Sequence, residues 1–195
     1  MIQAILVGDS IRKGYQPFVT SRLDGRAQIR GPEQNGGDSN NVKEHIDSWI
    51  LQMQADVLHL NCGLHDLRLR EEGYQVPKED YVRNLHEIIG RLRSKWDGTI
   101  IWATTTPVID ERHQKVKGFD RHERDVLRYN ESALAVMREH EVPVNDLHEV
   151  VERTGAAHVL GQDGVHFTEE GYRLLAKAVA SSIVENAPQE GESSD

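Results

Sequence analysis

The sequence is poor in the features that mark several common protein classes. It holds one cysteine, Cys62, which excludes an internal disulfide and a cysteine-rich metal site. Cys62 ends the apolar run Val57–Cys62 and reads as a small buried core residue, not a nucleophile. Basic side chains number 23 against 32 acidic ones, and the formal charge of −9 disfavours nucleic acid and anionic membranes as principal partners. No apolar stretch is long enough to span a bilayer. The first residues form a strand-like segment, without the basic and apolar regions of a signal peptide. A cytoplasmic protein with no membrane insertion is expected. None of the 10 histidines falls in a His-Glu-x-x-His or similar paired string, so no metal is expected. The first strand is not followed by a glycine-rich phosphate cradle, which weighs against a nucleotide binder, and no other cofactor is implied. No internal repeat occurs.

What remains is an ordinary folded composition: 195 residues, 37% hydrophobic and 28% charged, enough for one domain with a single core. That domain is expected to cover residues 1–187, with 188–195 a disordered acidic tail. Apolar runs at Ala4–Val7, Ala27–Gly31, Val57–Cys62, Thr99–Thr106 and Val142–Leu147 read as strands. Between them lie helical stretches at about 11–23, after Asn41, at 78–96, 119–140 and 148–154, and after Thr168. Pro17 is expected in the first turns of its helix or at a break, Asn41 with Glu44 resembles a capping pair, and 67–77 reads as a loop. Strands alternating with helices predict a parallel sheet covered on both faces. The fold class is α/β, a three-layer α/β/α sandwich with a flavodoxin-like five-stranded parallel sheet.

Open sheets of this kind bind ligands at the carboxyl ends of their strands. The loops at that edge hold Ser10, the Gly36-Gly37 pair, His65-Asp66, and Asp163 with His166. A serine hydroxyl needs a base to become a nucleophile, and histidine is largely neutral near pH 7. Asp163 and His166 lie three residues apart, so the carboxylate can hold one ring nitrogen while the other faces Ser10. Taken alone, Asp-x-x-His is commonly only a turn, and its pairing with a strand-end serine is what points to catalysis. The backbone N–H groups of Ser10 and Gly37 are candidate oxyanion donors.

These strings resemble the blocks of the SGNH hydrolases, the GDSL-type esterases and lipases. Gly8-Asp9-Ser10 matches the nucleophile block, Gly37-Asp38-Ser39 the glycine block, and Asp163-Gly164-Val165-His166, with Gly171 downstream, the last block. Weaker echoes are Thr106-Pro107 and Tyr129-Asn130, and the resemblance runs from about residue 3 to 184. It implies a serine ester hydrolase acting on small carboxylic esters through an acyl-enzyme, with Ser10, Asp163 and His166 as the triad. One block departs: where the family carries Gly-x-Asn-Asp, this chain has Gly63-Leu64-His65-Asp66. Three readings of His65 stand open: a substitute oxyanion donor, a contact to a polar part of the substrate, or a site relying on backbone N–H groups with reduced activity.

Asp9, Asn61 and His113 are assigned to substrate binding. The loop 67–77 and the segment 108–122, with Arg112, His113, Lys115, Lys117 and His122, are expected to border the cleft. Their polarity suits a small polar acyl ester better than a lipid, and the resemblance implies acetyl groups on sugars among the candidate substrates. The substitution at 65 also motivates a second reading, a weakened pseudoenzyme or binding module of the same fold. Oligomeric state is not legible.

Overall fold

The computed structural model describes residues 1–113 and 119–188. Apart from Pro188, the expected tail lies outside the described residues, as do Lys115 and Lys117. In chain order the elements are β1 (Ile2–Val7), α1 (Ser10–Arg22), β2 (Ala27–Arg30), α2 (Ser39–Ile46, continued by a π turn over Asp47–Leu51) and β3 (Val57–Leu60). A short antiparallel hairpin, β4 (Leu69–Arg70) and β5 (Gly73–Tyr74), precedes α3 (Lys78–Lys95). Then come β6 (Thr99–Ala103), α4 (Asp110–His113), α5 (Glu123–Glu139), β7 (Val144–Asn145), α6 (Leu147–Thr154), α7 (Ala156–Val159) and α8 (Glu169–Asn186).

The main sheet is wholly parallel, in the order β2-β1-β3-β6-β7. This is the flavodoxin-like order, and it reverses direction between β1 and β3. Right-handed crossovers put α1 and its neighbour α8 on one face, and α2, α3 and α5 on the other. The central strands are therefore covered twice. Ala4–Val7 of β1, all of β3 and Ile100–Ala103 of β6 are buried, which is why they read as continuous apolar runs. His59 interrupts β3 in the middle of this core.

Some boundaries differ from expectation. Pro17 lies inside α1 without ending it. Pro17 and Lys13, whose carbonyl loses its i+4 donor, are both exposed, so water can satisfy that carbonyl while Tyr15 and Val19 anchor the buried side. Helix α2 is capped by Asp38, whose carboxylate accepts from the Asn41 N–H, three residues before the expected cap. The fifth strand shrinks to two residues, because Asp146 turns outward to cap α6. Thr168 caps α8 as expected, accepting from the Gly171 N–H.

Candidate active site

The site grows from the turn that leaves β1 at the switch point. Asp9 is the N-cap of α1 and accepts the Ile11 N–H at 2.8 Å. This places Ser10 as the first residue of the helix. Its backbone N–H belongs to the first turn, where no intrahelical acceptor exists and the helix dipole favours negative charge.

The Ser10 hydroxyl donates to Nε2 of His166 at 2.9 Å, and Nδ1–H of His166 donates to Asp163 at 2.6 Å. Asp163 also accepts the backbone N–H groups of His166 at 2.9 Å and Val165 at 3.1 Å. Burial alone would raise the Asp163 pKa. The ring N–H of His166 and the two backbone donors outweigh it and hold the group down at about 2. A carboxylate ionised at neutral pH only accepts, which puts the proton on Nδ1 and leaves Nε2 free to take one from Ser10. The 163–166 loop is fixed from behind. Arg112 donates to the carbonyls of Leu160 at 2.9 Å and Ala157 at 3.2 Å, and the Ile109 N–H donates to Gly164 O at 2.8 Å.

The glycine loop docks directly on the β1–α1 turn. The Gly36 N–H donates to Gly8 O at 2.9 Å, and a Cβ on Gly36 would lie 2.7 Å from that oxygen. Gly37 has φ of +63°, and its N–H donates to Oδ1 of Asn35 at 2.9 Å. To serve an oxyanion, that N–H must turn from Asn35 or be shared with it. Buried Arg12 locks the same loop: its guanidinium donates to the carbonyls of Pro32 at 2.9 Å and Gln34 at 3.0 Å. The loop after β3 is tied to α2 in turn, because Asp66 accepts the Ser39 N–H on both oxygens, at 2.9 and 3.1 Å.

His65 stands beside the β1–α1 turn, with Nε2 4.0 Å from Asp9 Oδ2. Its Nδ1 lies 3.2 Å from an Arg68 Nη, which can only donate. Burial, then the charges of Arg121 and Arg68, push its pKa below the ordinary value against the pull of Asp9. A neutral ring with its proton on Nε2 follows.

Three residues expected to touch substrate are placed elsewhere. Asp9 is buried and spent on its cap. Asn61 donates to Ala103 O at 2.8 Å, tying the ends of β3 and β6 together. Both line a void of about 10 Å³, barely room for one water, behind the β1–α1 turn. His113 is wholly buried, its ring 5.5 Å from that of Phe119. Arg12, Asn35 and Arg121 were not singled out by sequence. Their partners are distant carbonyls, or in Asn35 a local turn, and no short string marks either.

Among the described residues no group of three or more His, Cys, Asp or Glu side chains could hold a metal, and no helix is long and apolar enough to cross a membrane.

Comparison with known proteins agrees with this fold. A curated GDSL esterase/lipase of Arabidopsis thaliana is 28% identical over 136 residues, which is 63% of this chain and 56% of that protein; the match thus spans little more than half of the relative's length. Among solved structures, a lipase/acylhydrolase from Enterococcus faecalis superimposes with a TM-score of 0.81 at 21% identity, covering 96% of this chain and 98% of that one. The acetylxylan esterase Axe2 of Geobacillus stearothermophilus gives 0.77 at 16% identity, covering 93% and 94%. At these identities the two structures speak for the fold. The model of the GDSL-like lipase/acylhydrolase family matches residues 6–174, from the first strand to the last helix, and the chain belongs to that family.

Proposed function

We propose that the protein is a serine ester hydrolase acting on small carboxylic esters through an acyl-enzyme. The observation that supports this best is the unbroken chain from Ser10 Oγ through His166 to Asp163, with contacts of 2.9 and 2.6 Å. In this reading Ser10 attacks the ester carbonyl as its proton passes to His166 Nε2. The oxyanion is met by the Ser10 N–H at the start of α1, by Nε2–H of His65, and by Gly37 once its N–H leaves Asn35. The imidazolium, steadied by Asp163, then protonates the leaving alcohol. A water activated by the same histidine hydrolyses the Ser10 ester.

The likeness to acetylxylan esterases is compatible with short acyl groups such as acetyl groups on sugars. A single cysteine that is buried suits a cytoplasmic setting.

The test is turnover of a short-chain chromogenic ester by wild type and Ser10→Ala. Turnover lost in the variant supports the reading, and equal turnover sinks it. A second reading, a binding module of the same fold, draws on His65 in the asparagine position. A serine-reactive organophosphonate separates the two, since an adduct on Ser10 is expected only of the enzyme.

A further inference from the structure

Two arginines converge on the 63–66 loop beside His65, with no acidic partner among the described residues. Arg121 is only 4% exposed, and its Nε–H donates to Leu64 O at 2.7 Å. Its two terminal nitrogens reach no acceptor among the described residues. Its guanidinium carbon lies 4.9 Å from the centre of the Phe119 ring, and that of Arg68 lies 4.2 Å from the same centre. Neither arginine has a carboxylate within ion-pair distance among the described residues. Arg121 holds Leu64 and Arg68 holds the neighbouring His65, whose Nε2 lies 4.0 Å from Asp9, so both charges sit on the 63–66 loop next to the turn that carries Ser10.

This arrangement is costly unless something else completes it. Two like charges share one aromatic ring, and one of them is almost wholly removed from water. Burial and the neighbouring Arg68 lower the Arg121 pKa only to about 10, so both groups are cationic at pH 7. A chain with formal charge −9 has acidic side chains in surplus, yet none among the described residues pairs with either arginine. Planar guanidiniums with free N–H groups match the paired oxygens of a carboxylate or phosphate.

We propose that Arg121 and Arg68 form a binding site for an anionic group, a carboxylate or phosphate, carried by the ester substrate close to the bond that is cleaved. This deepens the ester-hydrolase reading and rests on it for the chemistry. It narrows the substrate class from small polar esters to esters that bear a negative charge.

Two matched pairs of chromogenic or readily assayed esters test it. One pair places the charge on the acyl side, 4-nitrophenyl hemisuccinate against 4-nitrophenyl butyrate. The other places it on the alcohol side, 4-acetoxybenzoate against its methyl ester. Wild type is expected to favour the charged member of at least one pair by about tenfold or more in kcat/KM. That ratio should fall towards one in Arg121→Met and in Arg68→Met, and should shrink with added salt. Competition by succinate or by inorganic phosphate against the neutral ester then tells a carboxylate site from a phosphate site. A wild-type ratio of one or less in both pairs overturns the proposal, as does a ratio that neither variant changes. Should Arg121→Met fail to fold, the half-buried Arg68→Met carries the comparison. If Ser10→Ala hydrolyses esters as well as wild type, the ester-hydrolase reading falls by itself. The anion site is then judged by titrating succinate and phosphate into Ser10→Ala with and without Arg68→Met: binding that needs Arg68 upholds the site, and no binding removes it.

Discussion

Arg68 donates an Nη–H to Nδ1 of His65 across 3.2 Å, and this one bond decides what the histidine can do. An arginine cannot accept, so the neutral imidazole must carry its proton on Nε2, the nitrogen that lies on the Asp9 side of the nucleophile turn. An Asn at this position would offer an amide N–H, and His65 offers a ring N–H instead. Replacing His65 with Ala is expected to lower ester turnover by more than about tenfold, the scale of losing one oxyanion donor, while His65→Asn should recover much of it. Steady-state kinetics of the two variants decide the matter; wild-type rates in both would place His65 outside the site.

The groups legible in the sequence were those encoded by short strings. Gly8-Asp9-Ser10 and Asp163-x-x-His166 each lie within one turn, so spacing alone constrains where the side chains point, and burial of β1, β3 and β6 leaves an apolar trace. The groups that were not legible depend on distant parts of the chain. Arg121 meets Leu64 from 57 residues away, and Arg12 meets Gln34 from 22. Asp9 reads as a residue free to meet substrate until the helix boundary makes it a cap. Asn41-x-x-Glu44 has the look of a capping box, yet Asp38 takes the role because the chain turns into α2 three residues earlier.

The two glycines of the docking loop are special for different reasons, and alanine separates them. At Gly36 the new Cβ meets the Gly8 carbonyl oxygen at 2.7 Å, and backbone cannot swing aside. At Gly37 the nearest atom is Asn41 Nδ2 at 3.6 Å, so space is adequate and the penalty is the left-handed φ of +63°. That penalty is about 1–2 kcal/mol. Gly36→Ala is therefore expected to cost more Tm and more activity than Gly37→Ala, whose Tm should fall by roughly 2–8 °C. Calorimetry alongside ester turnover checks this, and the opposite order would mean that the loop does not rest on Gly8.

His59 gives the stability a pH dependence. It is wholly buried in β3, accepts from Asn145 Nδ2 at 3.0 Å, and leaves Nδ1 without a hydrogen-bond partner among the described residues. Burial pushes its pKa down from 6.5 to about 4. The unfolded chain binds the proton more readily between those values, so the stabilisation is complete above about 6.5 and is lost as the pH falls towards 4. The loss is about 3 kcal/mol from this residue. Asp66 runs the other way: burial raises its pKa from 3.8 to about 7 despite the Ser39 N–H, so its contribution is complete below 3.8 and fades as the pH rises through 7. A comparison of variants isolates the first effect. His59→Gln keeps an acceptor for Asn145 but does not titrate, and its denaturation free energy should fall less than that of wild type between pH 6.5 and 4. Parallel curves would show that His59 does not titrate in this window.

The most selective test of the triad is Asp163→Asn, because the surroundings dictate how the amide must sit. Oδ1 of Asp163 accepts two backbone N–H groups, from Val165 and His166, and Oδ2 faces the ring. An asparagine keeps both backbone bonds only with its oxygen in the Oδ1 position, which turns its NH₂ towards Nδ1 of His166. Nδ1 must then accept, the ring proton moves to Nε2, and Ser10 loses its base although every heavy atom stays in place. Turnover should drop roughly 1,000- to 10,000-fold, with the rate of phosphonate labelling at Ser10 falling in step. The fold should survive, since the two backbone bonds persist. In wild type the carboxylate, held at about 2, stays ionised across the range where the enzyme would work, so Asp163 should contribute no ionisation to the pH–rate profile above about pH 4. An Asp163→Asn variant that keeps more than about a tenth of wild-type turnover would remove Asp163 from the orienting role and leave His166 to be held by the loop alone.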